Sequence, residues 1–130
     1  MPTDSAVPPV SYLEKCQLVS RAYLGAAVYD DSESSGYFMC NPDKLYLYAA
    51  FGVPVVATNF PSLSSVVLRH ALGECCDSRQ PRALADAIVA LVEGDPGLAA
   101  RRESALRAFR QELHFEKECR MLAEAIRGLP

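Results

Sequence analysis

One stretch of the sequence, residues 41–61, constrains the fold most, because it joins a marked helix start to a buried strand. Asn41 is a favourable N-cap residue, and Pro42 suits the first helical position because its ring fixes φ. Gly52 stands where a helix end favours a residue with positive φ. The β-branched run VPVVA at residues 53–57 then predicts a short buried strand. The stretch therefore predicts a helix followed directly by a strand of an α/β sheet.

The segments on either side extend this alternation of helices and strands. Residues 23–29, YLGAAVY, form an apolar run that suits a strand buried on both faces of a parallel sheet. The other predicted elements are a helix from Ser11 to about Ser20, a helix capped by Ser62 and stopped by Gly73, an edge strand at residues 74–76, a helix from Pro81 to Gly94, a longer helix capped at Asp95-Pro96, and a last helix from Phe115 to about Arg127. In the longer helix, four arginines are predicted to point mostly outward: Arg101, Arg102, Arg107 and Arg110. The predicted fold class is α/β, with a parallel sheet, flanking helices and a helical carboxyl terminus.

The size and composition are those of a single folded domain. The 130 residues are half apolar and 22% charged, which is ordinary for a globular protein. Residues 1–9 are rich in proline and small polar residues and are predicted to be a flexible lead-in, so the domain is assigned to residues 10–130. A net charge of −3, with both signs interspersed, provides no polybasic patch. Nucleic-acid binding is therefore not expected.

Cysteine usage and hydropathy bear on the compartment. The five cysteines are odd in number and lack metal-ligand spacing, which favours reduced thiols. No apolar run approaches the roughly 20 residues that cross a bilayer, and the first residues lack the basic and apolar regions of a secretion signal. We therefore expect a cytoplasmic protein without a transmembrane segment.

A polar loop follows the first predicted strand and leads into the capped helix. Four of its residues are candidates for a ligand crevice: Asp31, Ser32, Gly36 and Tyr37. They follow the carboxyl end of a strand, which is where ligands bind in open α/β sheets. The free N–H groups of the next helix would face the same crevice, and Lys44 would add a positive charge. This arrangement predicts an anion site. The alternative is that Lys44 is a solvated surface lysine and Asn41 only a cap.

Residues 41–61 also resemble a known family. The matching residues are Pro42, Lys44, Leu45, Tyr46, Tyr48, Ala50, Gly52, Pro54, Val55, Val56, Ala57 and Pro61. Their order is similar to the donor-site segment of GT-B glycosyltransferases of the group 1, family 4-like type. The resemblance implies a partial Rossmann-like sheet, the second half of a GT-B carboxyl-terminal domain, with residues 10–130 as its nucleotide-sugar-binding part. It implies donor binding by six residues: Asn41, Pro42, Lys44, Leu45, Leu47 and Tyr48.

The activity that the resemblance implies is transfer of a sugar, such as a hexose, from a UDP- or GDP-sugar. The family usually needs no metal or other cofactor, because helix N-terminal amides and basic side chains stabilise the leaving diphosphate. The acceptor site would come from an acceptor domain in further sequence or from a partner polypeptide. No residue is assigned a catalytic role.

Two positions differ from the family pattern. Leu47 stands where the family has the glutamate that binds the donor ribose, and Met39 stands at the companion glutamate. A leucine accepts no hydrogen bond, and losing a charged acceptor costs on the order of 1.5–3 kcal/mol. A second hypothesis therefore stays open, in which the chain is a non-catalytic interaction module or a degenerate remnant of this fold. An incomplete sheet should leave an unpaired edge and exposed apolar surface, so self-association is a further hypothesis in either case.

No other motif indicates a different chemistry. The phosphate-loop, dinucleotide, hydrolase and zincin signatures are absent from the sequence. His70 and His114 have no nucleophile nearby in sequence and are predicted to be helix-end or surface residues. Asp30, Asp31 and Glu33 lack the spacing of a calcium loop, so no metal site is expected.

Overall fold

A computed structural model of the chain describes residues 8–30 and 42–130. These residues form six helices and three strands: α1 (Tyr12–Ser20), β1 (Gly25–Ala27), α2 (Asp43–Ala50), β2 (Val55–Thr58), α3 (Pro61–Arg69), β3 (Gly73–Cys76), α4 (Pro81–Glu93), α5 (Gly97–Gln111) and α6 (Phe115–Arg127). The described part is α/β, with a small parallel sheet, flanking helices and a helical carboxyl terminus, which confirms the coarse prediction. The predicted crevice residues Asp31, Ser32, Gly36 and Tyr37 and the predicted cap Asn41 lie outside the described residues.

The three strands pair in the order of the chain. β1 pairs with β2 in parallel, with Ala27 opposite Ala57, and β2 pairs with β3 in parallel, with Thr58 opposite Cys76. Every residue of the central strand is buried, as expected for a β-branched strand between two partners. β1 covers only three of the seven residues predicted, and Tyr23 is 69% exposed. The observed strand is shorter than the predicted one, because β1 pairs only along β2, which has four residues.

Helices cover both faces of the sheet. On one face, Val55 and Ala57 pack with Leu45 of α2, Leu63 of α3 and Ala105 of α5. On the other face, a second cluster joins the sheet to α4, and its buried members are Val56, Cys76, Ala87 and Leu91. Because successive residues of a strand point to opposite faces, the adjacent valines of β2 contribute to different clusters. The fold is a three-layer α/β arrangement.

Two glycines meet backbone constraints in this arrangement. Gly52 follows α2 with a φ of 64°, which confirms the predicted helix end. Gly73 was predicted to stop α3, but this was wrong, because Ala71, with a φ of 52°, makes that turn and Gly73 opens β3. A Cβ at Gly73 would lie 1.7 Å from the carbonyl oxygen of Val55. Only glycine therefore fits the close approach of β3 to β2.

The starts of two helices differ from the prediction. Pro42 is the N-cap of α2 and not its first residue, because its ψ of 146° is extended and the helix begins at Asp43. Phe60 is the N-cap of α3 and Pro61 its first residue, so Ser62 lies inside the first turn and is not the cap. A proline fixes φ but leaves ψ free to be extended or helical, so the sequence does not distinguish these two positions.

Two arginines of α5 face the protein, although all four were predicted to point mostly outward. Arg101 donates to the carbonyl oxygen of Gly73 at 3.2 Å and forms an ion pair with Glu74. Arg102 donates to the carbonyl oxygen of Ala22 at 3.0 Å. These contacts tie α5 to the edge strand β3 and to the segment before β1. Periodicity did not reveal them because a long arginine side chain can reach past the helix surface.

The first and last helices contribute no buried residue to the core. Their exposed apolar side chains include Leu13 and Leu18 of α1 and Leu122 and Ile126 of α6. None of the helices in the described part of the chain is both long enough and apolar enough to span a membrane.

Candidate functional site

Hydrogen bonds join the three strand ends at the carboxyl edge of the sheet. The backbone N–H of Tyr29 donates to Thr58 Oγ1 at 2.8 Å, and the Thr58 hydroxyl lies 3.3 Å from the Tyr29 carbonyl oxygen. The hydroxyl of Ser78 donates to the same carbonyl oxygen at 2.9 Å. Thr58 is 1% exposed, so its hydroxyl must find its partners within the protein. These hydrogen bonds thus connect the last residue of β2 with residues that follow β1 and β3, at the edge where ligands bind in open α/β sheets.

Lys44 lies at this edge. It is the second residue of α2, and its Nζ lies 5.0 Å from the centroid of the Tyr29 ring, where the negative face of the ring attracts a cation. The first-turn N–H groups of α2 point toward the same edge, and Pro42 has no side-chain acceptor to cap them. The helix dipole and the ammonium group make this end of α2 electropositive, although the carboxylate of Asp43 in the same turn offsets part of the effect.

A groove of about 500 Å³ runs along α2, between α1 and α5. Lys44 and Leu47 line it together, as expected for residues three apart on one helix face. Lys15 of α1 and Phe109 of α5 contribute to the other walls. The groove therefore links the electropositive start of α2 to an apolar surface at Leu47.

The other residues predicted to bind a donor have different positions. The side chain of Leu45 is fully buried in the core, and its N–H donates to the Pro42 carbonyl oxygen at 3.1 Å. The ring of Tyr48 packs closely on Gly25, and its hydroxyl lies 3.5 Å from the carbonyl oxygen of Ala26. Tyr48 also lines the groove. Of the predicted donor residues that the structure describes, only Lys44, Leu47 and Tyr48 reach the groove together.

Three residues of this region, Thr58, Ser78 and Lys15, carry no signal in the sequence that was used for the prediction. Thr58 is the last residue of β2 and Ser78 follows β3, so the rule that predicted the crevice after β1 applies equally to them. Lys15 was not foreseen because it lies on α1, and its approach to α2 depends on tertiary structure alone.

An ion pair neutralises charge at the carboxyl end of β3. Arg79 donates to Asp77 through Nε at 2.9 Å and through Nη2 at 2.9 Å. These bonds lower the pKa of Asp77 to about 2, so the carboxylate stays ionised and paired. The pairing moderates the repulsion that a free carboxylate would exert on an anion at this edge.

Two cysteines of β3 and two histidines at helix ends are held by the fold. Burial raises the pKa of the Cys75 thiol to about 11 and also raises the pKa of Cys76, so both are protonated and weakly nucleophilic at neutral pH. His70 is the C-cap of α3, and burial lowers its pKa. His114 is the N-cap of α6 and accepts from the N–H of Lys117 at 3.2 Å. Both histidines thus lie at helix ends, the first of the two kinds of position predicted for them. Within residues 8–30 and 42–130, no group of three metal-ligating side chains could hold an ion.

No protein-family model, curated protein sequence or solved structure matches this chain. Its functional interpretation therefore depends on the geometry of the carboxyl edge and on the motif at residues 41–61.

Proposed function

We propose that the chain is the nucleotide-sugar-binding part of a GT-B-type glycosyltransferase that uses a UDP- or GDP-sugar donor. The diphosphate would lie against the start of α2 and the ammonium group of Lys44, and the nucleoside would lie along the groove beside Leu47. The proposal assigns acceptor binding to further sequence or to a partner polypeptide, and it assigns no transfer activity to this chain alone.

The observation that carries the proposal is the position of Lys44. The start of an α-helix, a lysine and a groove meet at the carboxyl edge of a parallel sheet, with Lys44 Nζ 5.0 Å from the Tyr29 ring. Helix N-terminal amides and a lysine are suited to a diphosphate, because both direct positive charge at it without a metal ion. A Rossmann-like sheet, of which β1–β3 would be one half, is the fold that places such a site at this edge.

Leu47 determines how tightly the site would hold a nucleotide. It lines the groove three residues after Lys44, where a carboxylate would accept hydrogen bonds from ribose hydroxyls. A leucine offers only apolar contact, so the proposal predicts weak binding that is dominated by the diphosphate.

The substitution Leu47→Glu tests this assignment. The new carboxylate should tighten binding of UDP or GDP about tenfold, because a charged hydrogen bond is worth on the order of 1.5 kcal/mol or more. Val89→Glu is the matched control, since Val89 is 51% exposed on α4, across the sheet from α2. Calorimetric titration of both folded variants gives the comparison. An unchanged dissociation constant for Leu47→Glu would mean that the groove is not the nucleoside site.

The second candidate function is that of a non-catalytic interaction module. The observation in its favour is that α1 and α6 bury no residue and expose large apolar side chains, among them Tyr12 at 71% and Phe115 at 78%. The same Leu47→Glu titration separates the two, because an interaction module has no nucleotide site for a carboxylate to improve.

A further inference from the structure

Helix α6 and the turn after it present an apolar stripe that the rest of the described chain leaves exposed. The stripe consists of Phe115, Cys119, Leu122, Ile126 and Leu129. Its four largest side chains are between 58% and 78% exposed, and α6 has no buried residue. A helix of 13 residues is marginally stable in water without packing against another surface. We therefore expect another surface to pack on the stripe.

The spacing of the stripe residues favours another helix as the structure that packs on it. Its residues are spaced alternately by four and three positions, which is the seam of a two-helix coiled coil. The polar residues of α6 are three acidic and three basic, as the sequence FEKECRMLAEAIR shows. A helix that lies on an anionic membrane would carry an excess of lysine and arginine instead. A lipid surface is thus a poorer match than a helix with both signs of charge.

The charges beside the stripe favour an antiparallel copy of α6. Glu116 and Arg127 lie on the same side of the stripe, near opposite ends of the helix. When two copies run antiparallel with Leu122 against Leu122 at the two-fold axis, Glu116 of each copy faces Arg127 of the other. Parallel copies would bring Glu118 against Ala123 and would form no such pair. Antiparallel packing also sets the helix dipoles favourably.

A groove at the start of α6 completes this match. It has a volume of about 460 Å³ and is lined by the apolar or aromatic residues Tyr46, Phe109, Leu113 and Phe115, with His114, Glu116 and Glu118 at its polar side. The other end of the stripe carries Leu129, which is 69% exposed. In the antiparallel pair, Leu129 of one copy arrives over Phe115 of the other, at the mouth of this groove. Each copy then places one leucine in the groove of its partner, so the two contacts are identical, as a two-fold interface requires.

We propose that α6 is a dimerisation helix, which pairs antiparallel with α6 of a second copy of this chain and places Leu129 in the partner's groove. The proposal does not depend on nucleotide binding, because Lys44 and Leu47 take no part in it.

Sedimentation velocity of the full chain over a concentration series, without nucleotide, tests the proposal. The wild-type chain should move with concentration from the 14.2 kDa monomer to twice that mass. Leu122→Arg places two like charges at the two-fold axis and should give a monomer at all concentrations. Glu116→Arg should weaken the dimer about tenfold, since it turns two attractive pairs into repulsive ones.

The control and the rescue keep the test specific to this geometry. Glu124→Arg makes the same charge change on the opposite side of α6 and should leave the dimer unchanged. Combining Glu116→Arg with Arg127→Glu should restore the wild-type dissociation constant, because the pair is re-formed with its charges exchanged. Circular dichroism should show the same helix content in all folded variants. If the wild-type chain stays monomeric, the proposal is overturned, and the stripe then binds a different protein. If Glu116→Arg and Glu124→Arg have equal effects, or if the rescue fails, the antiparallel register is overturned.

Discussion

Replacing Gly73 with alanine tests the parallel pairing of β2 and β3. The added Cβ would lie 1.7 Å from the Val55 carbonyl oxygen, whereas ordinary contact begins at 3.4 Å. The strands must therefore separate by about 1.7 Å at this point, the difference between these two distances. The bond from the N–H of Val55 to the carbonyl oxygen of Leu72, now 3.0 Å, lies at the same place. Losing one or two such bonds at about 1 kcal/mol each, together with overpacking of about 1–3 kcal/mol, gives a destabilisation of about 2–5 kcal/mol.

Urea unfolding of the Gly73→Ala variant measures this loss, because the midpoint falls in proportion to the free energy of unfolding when the slope is constant. Gly128→Ala is the matched control, since its added Cβ would have its nearest atoms at 3.6 Å, in ordinary contact. The control should differ from the wild type by less than about 0.5 kcal/mol. A loss below about 1 kcal/mol for Gly73→Ala would refute the register in which Gly73 lies opposite Val55.

Two further predictions concern the second core cluster and the carboxyl edge. Leu91→Ala should lower the free energy of unfolding by about 3 kcal/mol, because Leu91 is 0% exposed and its truncation leaves a cavity between α4 and the sheet. Urea unfolding measures this loss. A loss no larger than that of the exposed control Val89→Ala would contradict the prediction. The lowered pKa of Asp77, about 2 against 3.8 for the unpaired group, stabilises the folded state above pH 3.8, and this stabilisation is lost as the pH falls through about 2. The wild-type chain should therefore lose stability between about pH 4 and pH 2 more steeply than Asp77→Asn, as followed by thermal unfolding at stepped pH; parallel curves would contradict the pairing with Arg79.

The parts of the fold that were predictable carry local signals. Helices α4 and α6 were predicted to within a residue, because Pro81 marks one start and an apolar stripe runs through each helix. The length of β1 was not predictable, because it depends on the extent of β2 across the sheet. The role of Gly73 was also hidden, since its constraint comes from Val55, which is distant in sequence.

The residues of the candidate site likewise fall into those that the sequence predicted and those that it did not. Lys44 was selected because its signals, a helix start and a strand end, lie along the chain. Thr58 and Ser78 were not selected, because they meet Tyr29 only after three strands pair. The opposite roles of Leu45 and Leu47 could have been read from spacing, since Leu45 and Ala49 form an i, i+4 buried pair and Leu47 falls outside it.

The most direct test of the central claim is a map of backbone amide chemical shifts during titration with UDP and GDP. A diphosphate at the start of α2 should shift the amides of residues 43–48 and of Tyr29 and Thr58, and Lys44→Ala should weaken the response severalfold. Arg82→Ala, which removes an exposed positive charge from α4, should leave the response unchanged. The absence of any shift at millimolar nucleotide, or shifts confined to α4 or α6, would contradict a nucleotide-sugar site at the carboxyl edge of this sheet.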